Sequence, residues 1–163
     1  MSSPDKAEMQ RLLDQEWEAL TSLVETFSDD ELVEPGVVEE WSLKDLLGHM
    51  AFWADKAAAD LRLLAAGRAE EIETPGSEEG TVEWNEREAG ARKGRALDQV
   101  REEWRQSHAD ARSALQTVAE SQLDGEVKGW TMRVRFVEDT YEHYKEHAGQ
   151  IRAWQNEMET TEA

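Results

Sequence analysis

Hydrophobic residues recur every three or four positions along most of the chain, which is the period of an α-helix with one buried face. The first such stretch predicts an amphipathic helix over about residues 4–27. The second begins where Ser42 and Asp45 have the spacing of a capping box, and it continues to Gly67. Each helix has one apolar face, as expected of helices that pack around a shared core.

Two further helices are predicted in the second half of the chain. The third is long and bent: Thr81 could cap it, Gly90 and Gly94 weaken it, and its apolar period becomes clear over residues 97–118. The fourth runs over about residues 134–157. No segment has the alternating pattern of a convincing β-strand.

Between the second and third helices, Arg68 to Gly80 is predicted as a long, acidic surface loop. A loop of this length in a compact domain is more often a lid or binding loop than filler, and disorder is the alternative. The chain of 163 residues is about one domain long, so we expect one domain over residues 1–163. The predicted fold class is all-α, an up-down four-helix bundle with a long loop between helices 2 and 3.

Composition excludes several classes of protein. Thirty-seven acidic residues against eighteen basic ones give a net charge of −19, which repels nucleic acid. There is no cysteine, which excludes disulfides, thiolate ligands and cysteine nucleophiles. A lack of disulfides is usual in cytoplasmic proteins. Neither an export signal nor a run of about eighteen apolar residues is found. We therefore expect a cytoplasmic protein with no membrane partner, whose metal chemistry would use His, Asp or Glu.

Three histidines are the best candidates for chemistry. His143 and His147 are four residues apart in the fourth helix and fall about 40° apart on one face. His49 lies at the edge of the apolar face of the second helix. Three imidazoles from two helices could bind one ion and leave a coordination position open. Taken alone, such a spaced pair is more often two solvated side chains, and His108 in the third helix is expected to be a surface or interhelical residue.

Two segments resemble the DinB-like superfamily of four-helix proteins. They are residues 38–53, VEEWSLKDLLGHMAFW, and residues 140–151, TYEHYKEHAGQI. The resemblance covers most of the chain and assigns His49, His143 and His147 to the three metal-ligand positions. It implies a divalent ion, with zinc or nickel ahead of iron or manganese, and commonly a homodimer. Members include bacillithiol and mycothiol S-transferases, a maleylpyruvate isomerase and hydrolases.

The resemblance and the open site together predict a metal-dependent enzyme acting on a small molecule. The reaction would be thiol S-transfer or hydrolysis, in detoxification or stress response, and a low-molecular-weight thiol could be the co-substrate. The alternative is a non-catalytic, stress-related or ligand-binding bundle that retains the metal site.

Four residues are candidates for the substrate pocket: Trp53, Trp84, Asn85 and Tyr144. Trp84 and Asn85 resemble the Trp-Asn step of branches related to colibactin-resistance proteins. Asn85 could equally be a first-turn helix residue, whereas Tyr144 is expected in the core rather than in the pocket. No general base emerges, because Glu142 and Glu146 are expected on the solvated helix surface. The helical angle also directs Glu138 and Asp139 outward.

Overall fold

The computed structural model describes residues 3–162, and four long α-helices form its frame. The pair that packs most extensively is α3 with α5, and α1 packs against α7. The prediction of an all-α up-down bundle is confirmed. The long helices are α1 (Lys6–Val24), α3 (Leu43–Ala65), α5 (Leu97–Thr117) and α7 (Tyr141–Glu162).

Three shorter α-helices connect the long ones, namely α2 (Asp29–Leu32), α4 (Glu78–Arg92) and α6 (Met132–Asp139). The third predicted helix is therefore two helices, with a break between Arg92 and Leu97. Gly90 in the last turn of α4 and Gly94 within the break both lower helix propensity there. In addition, α4 has no fully buried residue, whereas α5 buries an apolar face that begins at Val100.

The fourth predicted helix is also divided, because Thr140 (φ −120°, ψ −103°) separates α6 from α7. The hydroxyl of Thr140 donates to the carbonyl of Phe136 at 2.6 Å, the acceptor that a continuing helix would give to a backbone N–H. The axis of α7 is therefore not a continuation of α6. This break decides where the residues before His143 point.

The prediction that no strand occurs was wrong. Strands β1 (Glu126–Val127) and β2 (Trp130–Thr131) pair in antiparallel register. Lys128 (φ 50°) and Gly129 (φ 92°) form the two-residue turn between them. Two left-handed residues in succession match the twist of a short hairpin. Each strand is too short to show a period in the sequence.

The predicted loop over residues 68–80 is more ordered than expected. A 3₁₀ turn spans Ala69–Glu71, and Ile72 is fully buried in the core. The loop also ends early, because Ser77 and not Thr81 caps α4 by accepting from the backbone N–H of Gly80 at 3.0 Å. Burial of Ile72 anchors the segment that follows it against the bundle.

The start of α3 follows the predicted capping box. The Ser42 hydroxyl accepts from the Asp45 backbone N–H at 3.1 Å, and the Asp45 carboxylate accepts from the Ser42 backbone N–H at 2.8 Å. Twelve residues of α3 are buried, so this helix is the centre of the core. Its fixed start sets the rotation of His49 two turns later. None of the helices in residues 3–162 is long and apolar enough to cross a membrane.

Replacing Ser42 with alanine should lower the free energy of unfolding by about 1 kcal/mol, because the backbone N–H of Asp45 in the first turn of α3 loses its side-chain acceptor. Ser28→Ala is the matched control, since Ser28 forms the same capping box on α2. The control should cost less, because α2 has four residues and buries only Leu32. Urea denaturation of both variants measures the difference, and an equal or larger loss in Ser28→Ala would contradict the central place given to α3.

Candidate metal centre

The three predicted histidines meet at one point. His49 lies in the second turn of α3, and His143 and His147 lie in the first two turns of α7. The Nε2 atom of His143 is 2.9 Å from Nε2 of His49 and 2.9 Å from Nε2 of His147. One nitrogen from each ring lies within 4.8 Å of the other two. This group could hold a metal ion.

All three imidazoles are neutral at neutral pH. Burial, followed by the neighbouring His147, lowers the pKa of His49 to about 3. Burial and the two other histidines lower the pKa of His143 well below its usual value. Burial also lowers the pKa of His147, against a smaller opposing effect of its hydrogen bond to Gln150. Each neutral ring keeps one nitrogen lone pair, which is the form that binds metals.

The tautomer of His147 is set by Gln150. The Nδ1 atom of His147 is 2.6 Å from Oε1 of Gln150, and an amide oxygen can only accept, so Nδ1 carries the ring proton. Nε2 of His147 therefore presents a lone pair towards the other two rings. This hydrogen bond is the kind of outer support that orients metal-bound histidines.

The distances between the Nε2 atoms of the three rings are also compatible with a cation bound between them. To bond to His147, Nε2 of His143 must donate its proton, and it then has no lone pair left for His49. One proton must thus serve two contacts of 2.9 Å. Among residues 3–162, Nδ1 of His143 has no partner, so the protein does not force the proton onto Nε2. Three lone pairs directed at a shared cation would satisfy all three Nε2 atoms.

The back of His49 is closed by close packing. The Trp41 ring meets His49 edge-on with 5.0 Å between ring centroids. At the neighbouring Gly48, a Cβ atom would lie 2.9 Å from Cδ of Arg92, so only glycine allows this approach without a shift. The positive charge of Arg92 further lowers the pKa of His49. The end of α4 therefore helps to keep His49 neutral.

The histidines lie on the wall of a cavity of about 740 Å³. Small-molecule sites in proteins commonly have volumes of about 300–1,000 Å³. Segment 74–78, which follows the anchored Ile72, forms part of the wall, together with residues of α3, α4, α6, α7 and the β-hairpin. The segment predicted as a lid or binding loop therefore contributes to this cavity.

Two of the four predicted pocket residues line the cavity. These are Trp53 and Asn85, and the indole N–H of Trp53 donates to Oδ1 of Asn85 at 2.8 Å. Trp84 is not in the lining: it stacks on Trp53 with 6.0 Å between ring centroids. Tyr144 is not in the lining either, because its ring is fully buried in the core.

Several lining residues were missed from the sequence, namely Lys128, Trp130, Arg135, Glu138 and Asp139. Lys128 and Trp130 belong to the hairpin, which no sequence period indicated. Asp139 was expected to point outward because its angle was extrapolated along one continuous helix. The break at Thr140 makes that extrapolation invalid and places Asp139 on the cavity wall. The break itself has no strong sequence signal, since Thr140 is followed by further helix-forming residues.

The fourth histidine lies elsewhere. His108 is buried between α5 and α1, where its ring stacks on Trp17 with 4.4 Å between centroids. Its Nε2 atom is 3.2 Å from a carboxylate oxygen of Asp14. It is an interhelical residue with no place in the three-histidine cluster.

His49→Gln should remove one proton-linked contribution to stability. In metal-free protein, the imidazole of the unfolded chain takes up a proton near pH 6.5, whereas folded His49 does so only near pH 3. The stability of the wild type relative to this variant should therefore be full above about pH 6.5 and fall below it, by up to about 1.4 kcal/mol per pH unit. Urea unfolding with a chelator at about pH 7.5 and about pH 5.5 measures the difference. An identical difference at both pH values would contradict a buried, neutral His49.

Comparison with known proteins agrees with this architecture. The chain is similar to an uncharacterised protein from Escherichia coli UTI89, whose crystal structure gives a TM-score of 0.83 at 17% identity over 98% of both chains. At that identity the likeness shows the fold alone. No curated protein matches the chain. The family of the mycothiol maleylpyruvate isomerase N-terminal domain matches residues 13–141, a range that contains His49 and ends before His143. The chain belongs to this family and thereby to the DinB-like superfamily.

Proposed function

We propose that this protein is a divalent-metal-dependent enzyme that joins a low-molecular-weight thiol to an electrophilic small molecule, in detoxification or stress response. One observation carries the proposal: three neutral imidazoles converge on the wall of a cavity of about 740 Å³. A purely structural metal site is usually closed by four protein ligands, whereas three ligands beside a cavity leave room for a reactant.

His49, His143 and His147 would hold the ion. Imidazole suits zinc, nickel and iron, and zinc or nickel is the first choice for an all-nitrogen set. A divalent ion bound there acts as a Lewis acid that lowers the pKa of a bound thiol or water towards neutrality. Gln150 would keep the lone pair of His147 directed at the ion. The expected homodimer stays a prediction.

The name of the matching family favours a thiol as the nucleophile, and the composition says where the thiol would come from. The chain has no cysteine, so a sulfur nucleophile must come from a second small molecule. The name of the matching family refers to mycothiol, a low-molecular-weight thiol. The cavity is large enough to hold a thiol and an electrophile of modest size together.

Inside the cavity, the chain can position both reactants. The hydrogen bond between Trp53 and Asn85 holds the indole face and the amide in fixed orientations on one wall. Trp130, on the hairpin, is 57% exposed and lines the same cavity, so it offers an apolar surface near the solvent. An electrophile with an aromatic or apolar body would contact these rings.

Protein purified without a metal-affinity tag should contain about one equivalent of a divalent metal, and His143→Ala should contain less than about a tenth of an equivalent. The loss is expected because His143 contacts both other ligands. His108→Gln is the matched control and should retain the metal, since His108 lies outside the cluster. Elemental analysis gives the result, and equal metal in wild type and His143→Ala would overturn the metal centre.

Metal-loaded protein should convert monobromobimane in the presence of low-molecular-weight thiols, and His143→Ala should lose this turnover. Fluorescence of the thiol adduct measures the rate. Turnover of esters or amides without any thiol would redirect the assignment to hydrolysis. No turnover in either panel, despite a full equivalent of metal, would identify a non-catalytic ligand-binding bundle.

A further inference from the structure

A half-buried carboxyl group lines the same cavity as the histidines. Asp139 is the last residue of α6 and precedes His143 by four residues, across the break at Thr140. Four carboxyl side chains of residues 3–162 line the cavity, and the other three, Glu78, Glu138 and Glu146, are exposed to solvent. Asp139 is the one of the four that is half-buried.

The cations near Asp139 form their hydrogen bonds with other groups. Lys56 donates to the carboxylate of the buried Asp60 on α3 at 2.5 Å. Arg135 donates one N–H to the carbonyl of Val127 on β1 at 2.7 Å, and its buried Nε has no partner among the described residues. Within residues 3–162, no side chain forms a hydrogen bond or ion pair with Asp139. Its carboxyl oxygens are therefore free to bond to a molecule in the cavity.

The charges around Asp139 favour a group that exchanges protons near neutrality. Burial, with the negative charge of Asp60 next in size, raises the pKa of Asp139 to about 7. Arg135 and Lys56 act in the opposite direction, and Glu138 adds a small increase. Glu78 on α4 and Lys128 on the hairpin face the same cavity with opposite charges.

We propose that Asp139 is the catalytic proton acceptor of this cavity, and the inference rests on the proposed thiol-transfer function. The carboxylate of Asp139 takes the proton from the S–H group of the incoming thiol, leaving a thiolate and a carboxylic acid. The thiolate electron pair forms the new C–S bond while the bond from that carbon to the leaving group breaks, and the leaving group keeps its electron pair. The proton then passes from Asp139 to water or to the leaving group.

Asp139→Asn tests this role, because it keeps the shape of the side chain and removes the basic oxygen. With monobromobimane and a thiol, kcat should fall by at least about 100-fold, as expected for loss of a general base. Metal content should be unchanged. Glu126→Gln, an exposed carboxyl on β1 outside the cavity lining, is the control for loss of one negative charge and should keep kcat.

The pH dependence separates proton transfer from a structural effect. In the wild type, kcat should rise with pH as Asp139 loses its proton, at or below about pH 7, since a bound cation favours the carboxylate. Glu138→Gln should move this rise to lower pH, and Arg135→Gln should move it to higher pH. These opposite shifts test the role even if Asp139→Asn folds poorly.

A second measurement does not depend on activity. Carbon-13 NMR of the side-chain carboxyls in metal-free protein should show a group that titrates near pH 7 and is missing from Asp139→Asn. An ordinary aspartate titration near pH 4 would overturn the inference.

The outcomes distinguish this inference from the proposed function. Turnover by the wild type with an unchanged rate and pH profile in Asp139→Asn would overturn the role of Asp139 alone. Loss of metal from Asp139→Asn would make Asp139 part of the metal centre and would also overturn proton transfer. No turnover by the wild type would overturn the proposed function, and the inference with it.

Discussion

Burial of three imidazoles at the junction of α3 and α7 is the constraint on which the rest of the site depends. Removal from water disfavours a charge on each ring, so His49, His143 and His147 must be neutral. Neutral rings that face one another with Nε2 atoms 2.9 Å apart cannot all find hydrogen-bond partners. Unpaired buried nitrogens cost free energy, and a shared cation removes that cost. The same burial thus creates the cost and explains why this group could hold a metal ion.

Helix ends provide the room for a reactant beside these rings. The end of α6, the start of α7 and the start of α4 all reach the cavity, and a helix end leaves backbone and side chains that a continuous helix would cover. Thr140 divides what would otherwise be one long helix, and Ile72 anchors the segment that leads to α4. The long helices supply rigidity, while the breaks between them open the site.

The sequence was sufficient for the parts that depend on period. The capping box at Ser42 set the register of α3 and therefore the face of His49, and the four-residue spacing placed His143 and His147 together. The sequence was insufficient where a break between two helices changed the direction of the chain. Asp139 was read on the axis of α7, although it belongs to α6. Tyr144 carries a hydroxyl group but is fully buried in the core. The residue type alone does not indicate whether a tyrosine lies in the core or lines a cavity.

The three histidines and Asp139 line one cavity and are linked through charge. Burial disfavours both a protonated histidine and an ionised Asp139, so without a metal both groups are held near their neutral forms. A bound divalent cation would favour the ionised form of Asp139. The nearby Asp60 and Glu138 oppose ionisation of Asp139 but attract the cation. Asp60 and Glu138 therefore raise the pKa of Asp139, whereas a bound metal would lower it. The pKa of Asp139 would then depend on metal occupancy. Under the proposed function, Asp139 would be a weak acid in a metal-free cavity and a carboxylate in a loaded one.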